Sequence, residues 1–170
     1  MRGFSQYKSR LLGVACATAM LATPAIGIAA TATTTFQVTA TVLSVCTVSA
    51  TNLAFGNYDA SSGTPNDASS TVTTTCSNTT PYTVALNAGT GSGATVALRR
   101  MTNGANTLSY TMYTTAGRTT VWGDGTLSTV TQAGTGNGSG QALTVFGRVP
   151  TGQYVTAGSY TDTVTATVTY

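Results

Sequence analysis

The C-terminal stretch Gly158–Tyr170 reads GSYTDTVTATVTY. Val164, Ala166, Val168 and Tyr170 alternate there with Thr163, Thr165, Thr167 and Thr169, so apolar and hydroxyl side chains fall on opposite faces of an extended chain. Thr, Val and Tyr fit a pleated, half-buried surface. An apolar strand that runs to the final residue calls for packing, because unpacked terminal residues fray and are normally polar.

The same period recurs upstream. Phe36, Val38, Ala40 and Val42 alternate with Gln37, Thr39 and Thr41. Val72, Thr74 and Cys76 form another run, as do Tyr82, Val84 and Leu86, then Leu108, Tyr110 and Met112, then Leu143 and Val145 in a run ending at Pro150. No segment sustains a 3.6-residue apolar period, and beyond Lys8 the chain has neither Lys nor Glu, which removes common helix formers. Asn103-Gly104 and Asp124-Gly125 predict two-residue hairpin turns. Ala60–Ser70 (ASSGTPNDASS) reads as a polar loop and Gly134–Gly140 (GTGNGSG) as a flexible one. Short strands punctuated this way predict an all-β antiparallel sandwich, with no internal repeat and no linker.

The N-terminus is of another kind. Arg2, Lys8 and Arg10 precede an apolar run, Leu11–Ala22, and a small-residue exit up to Ala32. That is the pattern of a secretory signal peptide, and the run is too short for a membrane-spanning helix. The expected organisation is a signal over residues 1–30, with cleavage after Ala30 or Ala32, an extension over 31–45, and one domain over 46–170. With the signal removed, Arg99, Arg100, Arg118 and Arg148 face Asp59, Asp67, Asp124 and Asp162, so a whole-chain charge of +3 becomes 4 − 4 = 0. A neutral chain suits self-association and argues against nucleic acid as a partner. Cys16 leaves with the signal, and Cys46 and Cys76 remain as one pair in an oxidising compartment. Two free buried thiols are the alternative.

Catalytic chemistry finds little to work with. The chain has no His, and its only carboxylates besides the terminus are the aspartates, which read as solvated loop and turn residues. Two cysteines without a His or a third Cys do not make a zinc site, and no acids alternate closely enough for calcium, so no metal and no cofactor are expected. GTGNGSG lacks the Lys-Ser/Thr of a phosphate loop. Arg99 and Arg100 are strand neighbours that point to opposite faces and make no basic patch. Tyr58, Tyr110, Tyr113, Trp122 and Phe146 could line a sugar site, although aromatics in a sandwich are more often core. The expectation is a non-enzymatic structural or binding module.

Several segments resemble the spore coat protein U domain, the subunit family of archaic chaperone–usher pili: LAFGNY at Leu53–Tyr58, RRM at Arg99–Met101, LSYTMY at Leu108–Tyr113, VWGDG at Val121–Gly125, VFGRVP at Val145–Pro150 and the C-terminal stretch itself. The resemblance implies an incomplete immunoglobulin-like sandwich that lacks its last strand and is completed by donor-strand complementation. A periplasmic chaperone would fill the gap first. At an outer-membrane usher, the leading segment of the next subunit would replace it, giving a self-polymer exported through the periplasm to the cell surface, serving adhesion and biofilm formation.

On that resemblance, Phe36, Val38, Ala40 and Val42 are the donor residues, and Tyr160, Val164, Ala166, Val168 and Tyr170 form the acceptor and chaperone-binding edge. Periodicity alone equally allows Phe36–Val42 to be an ordinary first strand packed in its own domain. One domain with a candidate donor favours a shaft subunit, and without mature Lys no Lys–Asn isopeptide cross-link can form. The competing readings are a secreted carbohydrate-binding module with a complete fold, and a spore or cell coat protein that uses the same assembly physics.

Overall fold

The computed structural model describes residues 27–170. The expected signal peptide therefore lies, but for its last residues, outside the described residues. The chain divides into a leading segment that ends at Ala40 and a body, Thr41–Tyr170. Residues 27–40 adopt no regular secondary structure, and their side chains are exposed. The alternating run from Phe36 forms no strand, since a strand needs a ladder partner to satisfy its backbone and it pairs with none of the described residues. Phe36, Val38 and Val42 are 84%, 82% and 90% exposed.

The body holds eight strands: β1 (Cys46–Ala50), β2 (Asn66–Cys76), β3 (Pro81–Leu86), β4 (Arg99–Asn103), β5 (Asn106–Tyr113), β6 (Gln132–Thr135), β7 (Gly140–Val149) and β8 (Ala166–Thr169). They form a five-stranded sheet in the order β1-β2-β7-β5-β4 and a three-stranded sheet in the order β6-β3-β8. Every named strand pair is antiparallel. The period-2 runs give each sheet one apolar face. Val72, Tyr82, Val84, Leu86, Leu108, Tyr110, Met112, Val145 and Val149 meet between the sheets around a fully buried Trp122. The indole Nε1–H donates to Val84 O at 3.0 Å, so the largest buried ring leaves no polar group unsatisfied.

Three loop expectations change. β2 begins at Asn66, inside the predicted polar loop, because Asp67 pairs across the ladder with Arg148 of β7. The glycine-rich stretch is strand at both ends, since β6 runs to Thr135 and β7 opens at Gly140, and residues 136–139 between them stay loop. The Asp124-Gly125 pair closes no hairpin. Trp122 and Val130 bridge in parallel, and the Asp124 carboxylate accepts from Thr126 N–H and Oγ1–H, folding a surface loop. The hairpin between β4 and β5 does form at the Asn103-Gly104 signal. Asn103 and Asn106 are its last ladder pair, so its two-residue loop is Gly104-Ala105, with Gly104 at φ +59°.

Cys46 and Cys76 are ladder partners of β1 and β2 and form the disulfide across 30 residues of sequence. β1 is otherwise an edge strand with little burial, so the bond holds it to the body. Cys46→Ser should lower stability by roughly 4 kcal/mol in the chain-entropy account of a loop this size. The checks are the urea midpoint and the steady-state level of the exported chain against proteolysis. An unchanged midpoint and level would contradict the structural role of the bond.

Candidate functional site

Among the described residues, β8 pairs on one side only, with β3. Before it, Asn87 N–H donates to Thr165 O at 3.1 Å, and Thr165 N–H donates to Asn87 Oδ1 at 2.8 Å. Backbone groups alternate sides along an antiparallel strand. The N–H and C=O groups of Val164, Ala166 and Val168 therefore face away from β3, toward an edge where no named strand pairs. β1 is the open edge of the other sheet and lies next to β8.

Between these edges the core is unroofed. A cavity of about 510 Å³ has Ala50, Leu53 and Phe55 on one wall and Tyr160, Asp162, Val164 and Ala166 on the other, over a floor of Val72, Leu86, Met112 and Val145. A second, of about 760 Å³, shares Leu53, Phe55, Met101 and Tyr160 and continues the trough toward Tyr58, Val149 and Val155. Phe55 packs edge-on against Tyr110, with ring centroids 5.9 Å apart. Gly147 of β7 lies beneath this wall: a Cβ there would meet Leu53 Cδ2 at 2.7 Å and Phe55 Cζ at 2.8 Å.

Of the expected acceptor residues, Tyr160, Val164 and Ala166 line the trough, and Val168 packs half-buried against the core without lining it. Tyr170 lies past the end of β8 and is 57% exposed. The expected donor residues sit outside any strand and are exposed.

Sequence reasoning missed the polar frame of the trough. Asp162 is no solvated loop residue. Its Oδ1 accepts from Thr90 N–H (2.7 Å), Thr90 Oγ1–H (3.1 Å) and Thr163 N–H (2.7 Å), and its Oδ2 accepts from Tyr110 O–H (2.7 Å). Burial, and then the bond to Asp162, push the Tyr110 phenol far above the ordinary range, so it stays a donor. The available signal was parity: Asp162 occupies the same alternating face as Tyr160 and Val164. Arg99 and Arg100 do diverge as strand neighbours, but Arg99 is wholly buried. It donates from Nε to Asn87 O (2.8 Å) and from Nη2 to Leu86 O (3.1 Å) and Trp122 O (3.0 Å), and burial lowers its pKa. It thereby satisfies carbonyls where β3 ends and no ladder continues.

The aromatic residues considered for a sugar site do not gather. Tyr110 and Trp122 are buried. Tyr58 donates to Pro150 O and accepts from Gln153 N–H, tying the chain before β2 to the β7–β8 connection. Tyr113 and Phe146 are ladder partners on the outer face, where the Arg118 guanidinium sits 5.9 Å from the Phe146 ring centroid. Among the described residues no group of three His, Cys, Asp or Glu side chains could hold a metal ion, and no helix is long and apolar enough to cross a membrane.

The body is an all-β, immunoglobulin-like sandwich whose core stays open along its last strand. The family model of the Spore Coat Protein U domain matches residues 32–167, and the chain belongs to that family. Protein U of Myxococcus xanthus is 42% identical over 87 residues, 47% of this chain and 45% of that protein. A chain in the crystal structure of the CsuC-CsuE chaperone-tip adhesion subunit pre-assembly complex, from the archaic chaperone-usher Csu pili of Acinetobacter baumannii, superposes with a TM-score of 0.56 at 25% identity. That match covers 76% of this chain and 40% of the other, so in both comparisons the match spans under half of the relative.

On the outer face, Arg148 Nε and Nη2 donate to the two oxygens of Asp67 at 2.7 and 2.9 Å, with Arg118 at 3.2 Å. The bond from Arg148 holds the Asp67 carboxyl below its ordinary value. A depressed folded pKa gives stability that is full above the unfolded value, near pH 4, and is lost as pH falls through the folded one. Asp67→Asn should therefore flatten the acid limb of the thermal midpoint below about pH 4. An acid limb identical to that of the parent would count against the pair.

Proposed function

We propose that the chain is an exported structural subunit of an archaic chaperone–usher pilus and polymerises by donor-strand exchange. The observation that carries this reading is the coexistence in one chain of an unpaired β8 edge over an open apolar trough and an exposed segment, Phe36–Val42, with the strand period to fill such a trough. Strand addition satisfies the free main-chain groups and seats alternate side chains. Burying Phe36, Val38 and Val42 contributes roughly 1.5–3 kcal/mol each. Until that happens, the free edge is an aggregation hazard, which a periplasmic chaperone strand would cover and an outer-membrane usher would exchange. The product is a self-polymer at the cell surface, acting in adhesion and biofilm formation without catalysis. Family membership and the likeness to a chain of a chaperone–subunit complex support the reading. The similarity to Protein U favours, as a second reading, a coat built by the same strand exchange. The scattered aromatic residues weigh against a carbohydrate-binding module.

The test is electron microscopy of surface filaments from cells that make the chain with its chaperone and usher. Deleting residues 31–44 should abolish filaments while the chaperone-bound subunit persists. Val38→Asp and Val42→Asp should each reduce filament yield at least about tenfold, the consequence of burying an unpaired carboxylate in the trough. Unchanged filaments in both variants, or a deleted chain that folds tightly with no chaperone, would overturn the proposal.

A further inference from the structure

The structure also constrains how the donor lies in the trough, an inference that rests on the donor-strand reading above. We infer that the segment from a neighbouring copy enters antiparallel to β8 in a single register, with Val42 beside Tyr160, Ala40 beside Asp162, Val38 beside Val164 and Phe36 beside Ala166, and that the Asp162 carboxylate sets that register.

Polarity follows from where the body's own chain begins. Val45 O accepts from Ser77 N–H, Val45 N–H donates to Ser77 Oγ, and Thr80 Oγ1 bonds Ser44 Oγ. Those residues lead into β3 at the end where Thr83 pairs with Thr169, so each subunit's own extension departs beside the finish of β8. A donor parallel to β8 would bring its own body to that occupied end. An antiparallel donor brings it to the far end, at Tyr160, where the trough continues open toward Val155.

Register follows from the wall. Its inward positions are Tyr160, Asp162, Val164, Ala166 and Val168, and Asp162 is the charged one. The carboxylate cannot swing aside: it accepts four hydrogen bonds, from Thr90 twice, Thr163 and Tyr110, about the number its lone pairs allow. It therefore needs no partner from the donor, only a small neighbour, and Ala40 is the small residue on the donor face. The short Ala166 side chain leaves room beside Leu86, its ladder partner, and over Val72 and Val145 for the Phe36 ring. Sliding the donor by two residues lays Val38 or Val42 against the carboxylate and moves Phe36 to Val164 or Val168, crowding the ring and pressing a branched apolar side chain on a charge. Sliding by one turns the whole apolar face to water.

Cysteine pairs in the full chain, assembled into filaments and mildly oxidised, read the register directly, because a disulfide forms only between close Cα atoms. V38C/V164C should give a ladder of cross-linked oligomers at least about tenfold stronger than V38C/A166C or F36C/V164C, which report the two slips. A166F should block filaments, and adding F36A should restore them. D162L, and to a lesser extent D162N, which removes the charge but keeps the shape and an acceptor oxygen, should admit the slipped cross-links alongside the first. A dominant slipped ladder would overturn the register while leaving donor exchange intact. Filaments with no ladder from any pair would overturn both. A single unslipped ladder in D162L, or no rescue of A166F by F36A, would remove Asp162 or Phe36 from the account.

Discussion

The rest of this structure depends on a backbone edge to which no other described strand pairs. β8 satisfies its ladder through β3 and leaves the other set of N–H and C=O groups unpaired, above a core whose floor includes Leu86, Met112 and Val145. Unpaired main chain and uncovered apolar surface are the two costs a folded domain normally removes. Here both stand on the same side of the same strand, so one added strand relieves both together. On the proposed reading, the deficit that weakens the isolated chain is the driving force for association.

An open edge of this kind has to hold its shape without a ladder on that side. Between the Thr102–Thr161 bridge and β8, side chains replace the missing ladder. Asn87 binds both backbone groups of Thr165, Asp162 gathers Thr90, Thr163 and Tyr110, and Arg99 takes the carbonyls of Leu86, Asn87 and Trp122. In a chain with few charged residues, one of them, Asp162, lines the trough, and another, Arg99, is buried at the end of β3. The others largely tie β2 to β7 through Asp67, Arg148 and Arg118, or cap surface turns at Asp59 and Asp124.

Much of the fold was legible because period-2 alternation is a local property. The runs at Val72, Tyr82, Leu108 and Leu143 became β2, β3, β5 and β7, and parity correctly assigned their inward faces. Elements that depend on a distant partner were not legible. β2 reaches back to Asn66 only because Arg148 lies across from Asp67, and β6 forms from a glycine-rich stretch only because β3 supplies its ladder. The turn at Asp124 fails as a hairpin because its flanking segments bridge in parallel, which no dipeptide reports. At the site, the apolar positions Val164 and Ala166 that line the trough were readable from alternation. The hydrogen-bonding roles of Asp162, Asn87 and Arg99 join residues far apart in sequence and have no short-range signature beyond the parity of Asp162.

Gly147 gives the trough a sensitivity that ordinary assays of folding would miss. Leu53 and Phe55 rest on bare main chain at that position, and both are only partly buried. A methyl group placed there could be accommodated by tipping these two side chains outward, toward solvent, rather than by disturbing the sheets. The domain would keep its disulfide, its ladders and most of its core, yet the slot would have a different width. Its shape is fixed in part by an atom that is not there, so a neutral-looking change in the middle of β7 would alter whatever the slot accepts while the domain itself stayed well folded.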